Sequence, residues 1–131
     1  MTQEWLKEAI SGERNAIAMY QNMKMLTGDQ EHLETLGRII EDEETHLLGL
    51  EGLLRRGKPG GESPVTESDL GCVFTECLRR AIGKELETEM LYRSAYVSDG
   101  SEFFFNAMTD ENAHAVLLNR MYTREVEKRL L

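Results

Sequence analysis

The chain carries one helical stripe twice, and each copy sets a glutamate and a histidine where apolar residues are due. In "LGRIIEDEETHLLGLEGLL" (36–54) the stripe runs Leu36, Ile39, Ile40, Glu43, His46, Leu47, Leu50, Leu53 and Leu54. Steps of three and four put these residues on one helix face. The shift of 68 that takes Glu43 to Glu111 turns the stripe into Phe104, Ala107, Met108, Glu111, His114, Ala115, Leu118, Met121 and Tyr122. A second pair of helices matches at a shift of 72: Leu6, Ala9, Ile10, Glu13 and Tyr20 become Leu78, Ala81, Ile82, Glu85 and Tyr92. Every helix therefore has a glutamate on its apolar face, and two of them add a histidine three residues later.

The punctuation of the chain agrees with this repeat. Both prolines, Pro59 and Pro64, fall in "RRGKPGGESPVTESD", a run over about 57–69 that separates the halves. Short breaks at "TGD" (27–29) and "SDGS" (98–101) divide each half, with Asp29 and Ser101 placed as helix caps. The predicted helices span 3–27, 30–56, 70–98 and 101–129 of a single domain, 1–131, and no segment alternates like a strand. The expected fold is all-α: a four-helix bundle of two antiparallel hairpins. Helix 2 is about 40 Å long at 1.5 Å per residue. The linker can span about 43–60 Å when extended, enough for a long crossover between helices 2 and 3.

Residues three apart on a helix share a face, so Glu43 and His46 can reach one point, as can Glu111 and His114. Glu13, Glu43, Glu85 and His114 each lie 13 or 14 residues from a hairpin break, so all four helices bring their polar groups to mid-height. Four buried glutamates as free charges would cost several kcal/mol or more each. Two divalent cations would balance them, with two neutral imidazoles completing the coordination. That is the donor set of a di-iron or di-manganese carboxylate centre: one Glu from each of two helices and Glu-x-x-His from each of the other two. The alternative is a rotated stripe with Glu43 and Glu111 at its solvent edge.

"ERNAIAMY" and "ELETEMLY", each a Glu followed seven later by Tyr, together with "EETH" and "ENAH", resemble the rubrerythrin branch of the ferritin-like superfamily. The resemblance covers nearly the whole chain. It implies that Glu13, Glu43, His46, Glu85, Glu111 and His114 bind a dinuclear centre, usually iron. In it, Glu43 and Glu111 look like bridging carboxylates, Glu13 and Glu85 like terminal ones, and each histidine serves one metal. It also implies reduction of hydrogen peroxide, oxidation of ferrous iron by dioxygen, or both, in a homodimer. The chain departs from that family's pattern in two ways. It has no CxxC pairs of a rubredoxin module, so a peroxidase needs an external electron-donor protein. Thr88, with Glu89 beside it, stands where many rubrerythrins have a second helix 3 glutamate, which puts their redox-dependent iron shift in doubt here.

Other features constrain less. A net charge of −9 argues against nucleic acid and anionic membrane surfaces as partners. No run is long enough to span a membrane and the first 17 residues lack a signal-peptide core, so a cytoplasmic protein is expected. Cys72 and Cys77, five apart, fall on different faces of a helix and are expected as thiols in core or surface. Tyr20 and Tyr92 either hydrogen-bond to ligand carboxylates or are plain core tyrosines. His32 reads as a surface residue, and Glu41, Asp42 and Glu44 as a solvated face. Met19, Met23, Met25, Met90, Met108 and Met121 read as core filler. Phe103 and Phe105 flank the stripe, either under the linker or in a two-fold dimer interface. Three functions stay open: a di-iron peroxidase, a ferroxidase that handles iron, and a metal-free bundle that binds a partner.

Overall fold

The computed structural model describes residues 1–57 and 71–131. Four α-helices account for its regular structure: α1 (Gln3–Met25), α2 (Gln30–Gly57), α3 (Phe74–Asp99) and α4 (Glu102–Leu130). Among the described residues there is no strand, so the architecture is all-α as the periodicity demands. The chain forms two compact units, Met1–Gly71 and Cys72–Leu131. The expected crossover between α2 and α3 lies outside the described residues.

In the first unit α1 and α2 pair as a hairpin. Thr2 caps α1 by accepting a hydrogen bond from the Trp5 amide, 3.1 Å, on its hydroxyl. The helix ends at Met25, two residues earlier than expected. Thr27 belongs instead to the turn, where its hydroxyl accepts from the Asp29 amide at 3.2 Å. Asp29 is the expected cap of α2: its Oδ1 accepts from the His32 amide at 3.1 Å and its carbonyl from the Leu33 amide at 3.0 Å. The buried apolar residues are Leu6, Ile10, Met19, Tyr20 and Met23 on α1, with Leu36, Ile39, Ile40, Leu50 and Leu54 on α2.

His32 corrects the surface reading, since it is 1 % exposed. It lies four residues before Leu36, so the α2 stripe runs one turn nearer the cap than the leucines alone indicate. Its Nε2 stands 3.8 Å from Asp29 Oδ2.

The second unit is the α3–α4 hairpin. Contacts from Thr75–Arg129 through Glu85–His114 to Tyr92–Phe104 pair rising positions with falling ones, as antiparallel helices must. Gly100 makes the turn, with φ 71° in the left-handed region, and donates its amide to the Tyr96 carbonyl. Ser101 is the N-cap of α4, but through its backbone. Its carbonyl accepts from the Phe104 and Phe105 amides, and its side chain makes no capping bond. Leu78, Ala81, Tyr92, Ala95, Phe104, Ala107, Ala115, Leu118 and Met121 are the buried apolar residues.

Helix α3 starts at Phe74 rather than at 70, because Val73 is extended (φ −73°, ψ 159°). That shift overturns the cysteine reading. Cys72 precedes the helix instead of riding on it, and it is joined to Cys77 by a disulfide across a Cα–Cα distance of 5.5 Å. Two methionines also depart from core packing: Met25, the last residue of α1, is exposed, and so is Met90 on the outer face of α3. The aromatic cluster of α4 is partly spent within the unit. Phe103 packs edge-on against Phe104 at 5.2 Å between ring centres, and Phe105, still 45 % exposed, packs on Tyr96 at 5.3 Å.

Candidate metal centre

All six expected ligands are buried, each 2 % exposed or less, so Glu43 and Glu111 lie on the buried face and not at its edge. In the first unit the α1–α2 pairing brings Glu13 beside the Glu-x-x-His of α2. His46 Nδ1 is 3.0 Å from Glu13 Oε2 and 3.3 Å from Glu43 Oε1. In the second unit α3–α4 repeats the arrangement more loosely. His114 Nδ1 is 3.5 Å from Glu85 Oε2 and 3.8 Å from Glu111 Oε1. Within each triad the donor atoms fall within 4.8 Å of one another, close enough to share an ion.

A triad of two carboxylates and an imidazole, shut off from water, needs positive charge. In the first unit the metal-free protein supplies it with a proton. Burial alone would push the His46 pKa down, but hydrogen bonds to Glu13 and Glu43, and their negative charges, outweigh it and lift the value from 6.5 to about 10. The ring is then a cation at neutral pH, placed between two carboxylates. A divalent cation can take over that role and use the same Nδ1 as a ligand. Hard carboxylate oxygens with borderline imidazole nitrogen suit iron, manganese or zinc.

The neighbours of these triads also answer the sequence reading. Glu44 and Glu41 are exposed and Asp42 half-buried, as a solvated face requires. Tyr20 and Tyr92 are buried at 0 % and 1 %, and the Tyr92 ring stands 6.0 Å from Phe104. Thr88 faces its own helix, donating its hydroxyl to the Lys84 carbonyl at 2.8 Å. Glu89, which the sequence offers only as the neighbour of Thr88, is buried at 7 % exposure and forms an ion pair with Arg93. The signal was present, since Glu89 stands four after Glu85 and therefore on the same face. Next to Glu13, Arg14 reaches across the hairpin to Glu51 at 3.0 Å.

The chain matches no protein-family model, no curated protein and no solved structure.

Proposed function

We propose that the two triads together hold a dinuclear metal centre of the rubrerythrin-like kind, and that the chain is a di-iron oxidoreductase that reduces hydrogen peroxide. The observation that carries this reading is the duplication: two buried Glu–Glu–His sets, in matching phase, on both hairpins. A single buried set would be one more structural ion cluster. Two sets present four carboxylates and two imidazoles, the donor complement of two divalent ions.

Bound ferrous ions would supply the two electrons that peroxide reduction requires. The protein's part is to position and to exclude. Glu43 and Glu111 would bridge, Glu13 and Glu85 would bind terminally, and His46 and His114 would each bind through Nδ1. The apolar residues one turn either side, Ile39, Ile40 and Leu50 in the first unit and Ala107 and Leu118 in the second, are buried to 4 % or less and keep bulk water out. Tyr20 and Tyr92, two turns beyond Glu13 and Glu85, would hydrogen-bond to the ligand carboxylates. These 131 residues contain no CxxC pair, so electrons would come from a donor outside them.

Elemental analysis and an ultraviolet–visible spectrum of protein purified without chelators test the metal. About two irons per chain are expected, and protein that stays metal-free after anaerobic reconstitution refutes the reading. Anaerobic ferrous protein mixed with peroxide or with dioxygen separates the peroxidase from the ferroxidase, with faster oxidation by peroxide expected. We place the half-exposed Phe105 in a two-fold homodimer contact. Phe105→Glu should shift the protein toward monomer in sedimentation with its metal retained, and a monomeric wild type ends that idea.

A further inference from the structure

We infer that Cys72 and Cys77 form a thiol–disulfide exchange site, reduced by a dithiol that attacks at Cys72. The pair lies at the start of α3 and holds both cysteines of the chain. It does not depend on the metal reading, and a structural role explains it poorly. A disulfide stabilises mainly by restricting the unfolded chain, and a loop closed five residues apart restricts it less than a long one does. The Cys77 end is also held without it, since Cys77 donates its amide to the Val73 carbonyl at 2.9 Å, inside the first turn of α3.

The two sulfurs differ in the way that gives exchange a direction. Cys77 is fully buried at 0 %, with Leu78 beside it equally so. Cys72 is half-buried on non-helical backbone, between Gly71 and Val73, both exposed. An incoming thiolate therefore reaches Cys72 and not Cys77. Its sulfur bonds to Cys72 Sγ as the Cys72–Cys77 bond breaks, and Cys77 leaves with the electron pair and takes up a proton. The new thiol has an acceptor in place, because Cys77 Sγ is 3.4 Å from the Cys72 carbonyl oxygen. The second thiol of the dithiol then attacks its own sulfur in the mixed disulfide and releases Cys72 as a thiolate. One dithiol is oxidised and one disulfide reduced. Cys72 leaves readily because it lies just before the N-terminus of α3, where the helix dipole favours a thiolate. Oxidant run in reverse restores the bond, so the site is a reversible two-electron couple.

The test uses the full chain, metal-loaded or not. The protein is equilibrated with graded dithiothreitol and its oxidised form, quenched in acid, alkylated and mapped by mass spectrometry, with circular dichroism read in parallel. Reduction with the helical signal unchanged is expected. Reduced protein treated with limiting iodoacetamide should be modified at Cys72 at least about tenfold faster than at Cys77. The Cys77→Ser variant should retain a monothiol such as glutathione as a mixed disulfide on Cys72. A thioredoxin-type protein as reductant, compared with dithiothreitol at equal concentration, distinguishes a protein donor from a small-molecule dithiol by which reacts faster. A disulfide that yields only as the helical signal is lost overturns the proposal, and so does modification of Cys77 ahead of Cys72 in the folded wild type.

Discussion

The two hairpins are the same sentence written twice, and their differences are informative because the repeat holds so much else constant. Each buries a glutamate from its first helix against a Glu-x-x-His from its second. In the first, the imidazole stands 3.0 and 3.3 Å from its carboxylates; in the second, 3.5 and 3.8 Å. The first carries an inter-helix pair, Arg14–Glu51, whereas position 86, which corresponds to Arg14 at the shift of 72, holds an exposed leucine. The second instead adds a buried acid, Glu89 with Arg93, where the first has Ile17. What recurs is the donor set, and what varies is the charge around it. Buried carboxylates and imidazoles must be balanced by one another or by an ion, while neighbouring charges need only be paired locally.

The largest effect asks whether the two triads act as one. On the proposed function, Glu43→Ala and Glu111→Ala should each lower metal content in both halves, because a shared centre would lose both ions with either bridge. The measurement is metal per chain by elemental analysis. Glu44→Ala, one residue away and exposed, should leave it unchanged. Loss of half the metal from each variant would show two independent mononuclear sites.

Next comes the cost of leaving the triads empty. A metal bound at a hundredfold excess over its Kd stabilises by about 3 kcal/mol, on the order of 10 °C in Tm for a chain of this size. The metal-free protein should melt lower by that amount in calorimetry at neutral pH. Equal Tm values with and without metal would remove the buried centre.

His46 then sets a pH dependence for the first hairpin. Its folded pKa of about 10 is raised above the ordinary 6.5. In the metal-free protein its pairing with Glu13 and Glu43 therefore contributes stability that is whole below pH 6.5 and lost as pH rises through about 10. Metal must displace that proton, so affinity at this triad should rise by about tenfold per pH unit below the folded pKa. Calorimetric titration in buffers of different ionisation enthalpy reads the released proton, and His46→Gln should abolish it. Proton release unchanged in that variant would assign it elsewhere.

The smallest effect concerns the neighbours. Arg14→Leu, which gives the first hairpin the residue found at the matching place in the second, should cost no more than about 1 kcal/mol in urea unfolding, since the pair is partly exposed. Metal content should not change. A loss of metal would mean that Arg14 holds Glu13 in place through its neighbour.

Helical phase is a local property, and most of what it governs could be read from residue order. Helix faces, the absence of strands among the described residues and burial of all six candidate ligands follow from apolar spacing, because a residue in step with Leu36, Ile39 and Ile40 must point where they point. The same rule reaches His32 and Glu89 once the stripe is carried one turn further. Tertiary structure decided what depends on where a helix stops and what meets it. The extended backbone at Val73 takes Cys72 off α3, and only then can its sulfur reach Cys77. Ser101 caps with its carbonyl and not its hydroxyl, a choice of side-chain rotamer that residue type does not dictate. The spacing within each triad, and with it the charge on His46, is set by how two helices pack, and packing depends on the fit of whole faces rather than on the identity of any one residue on them.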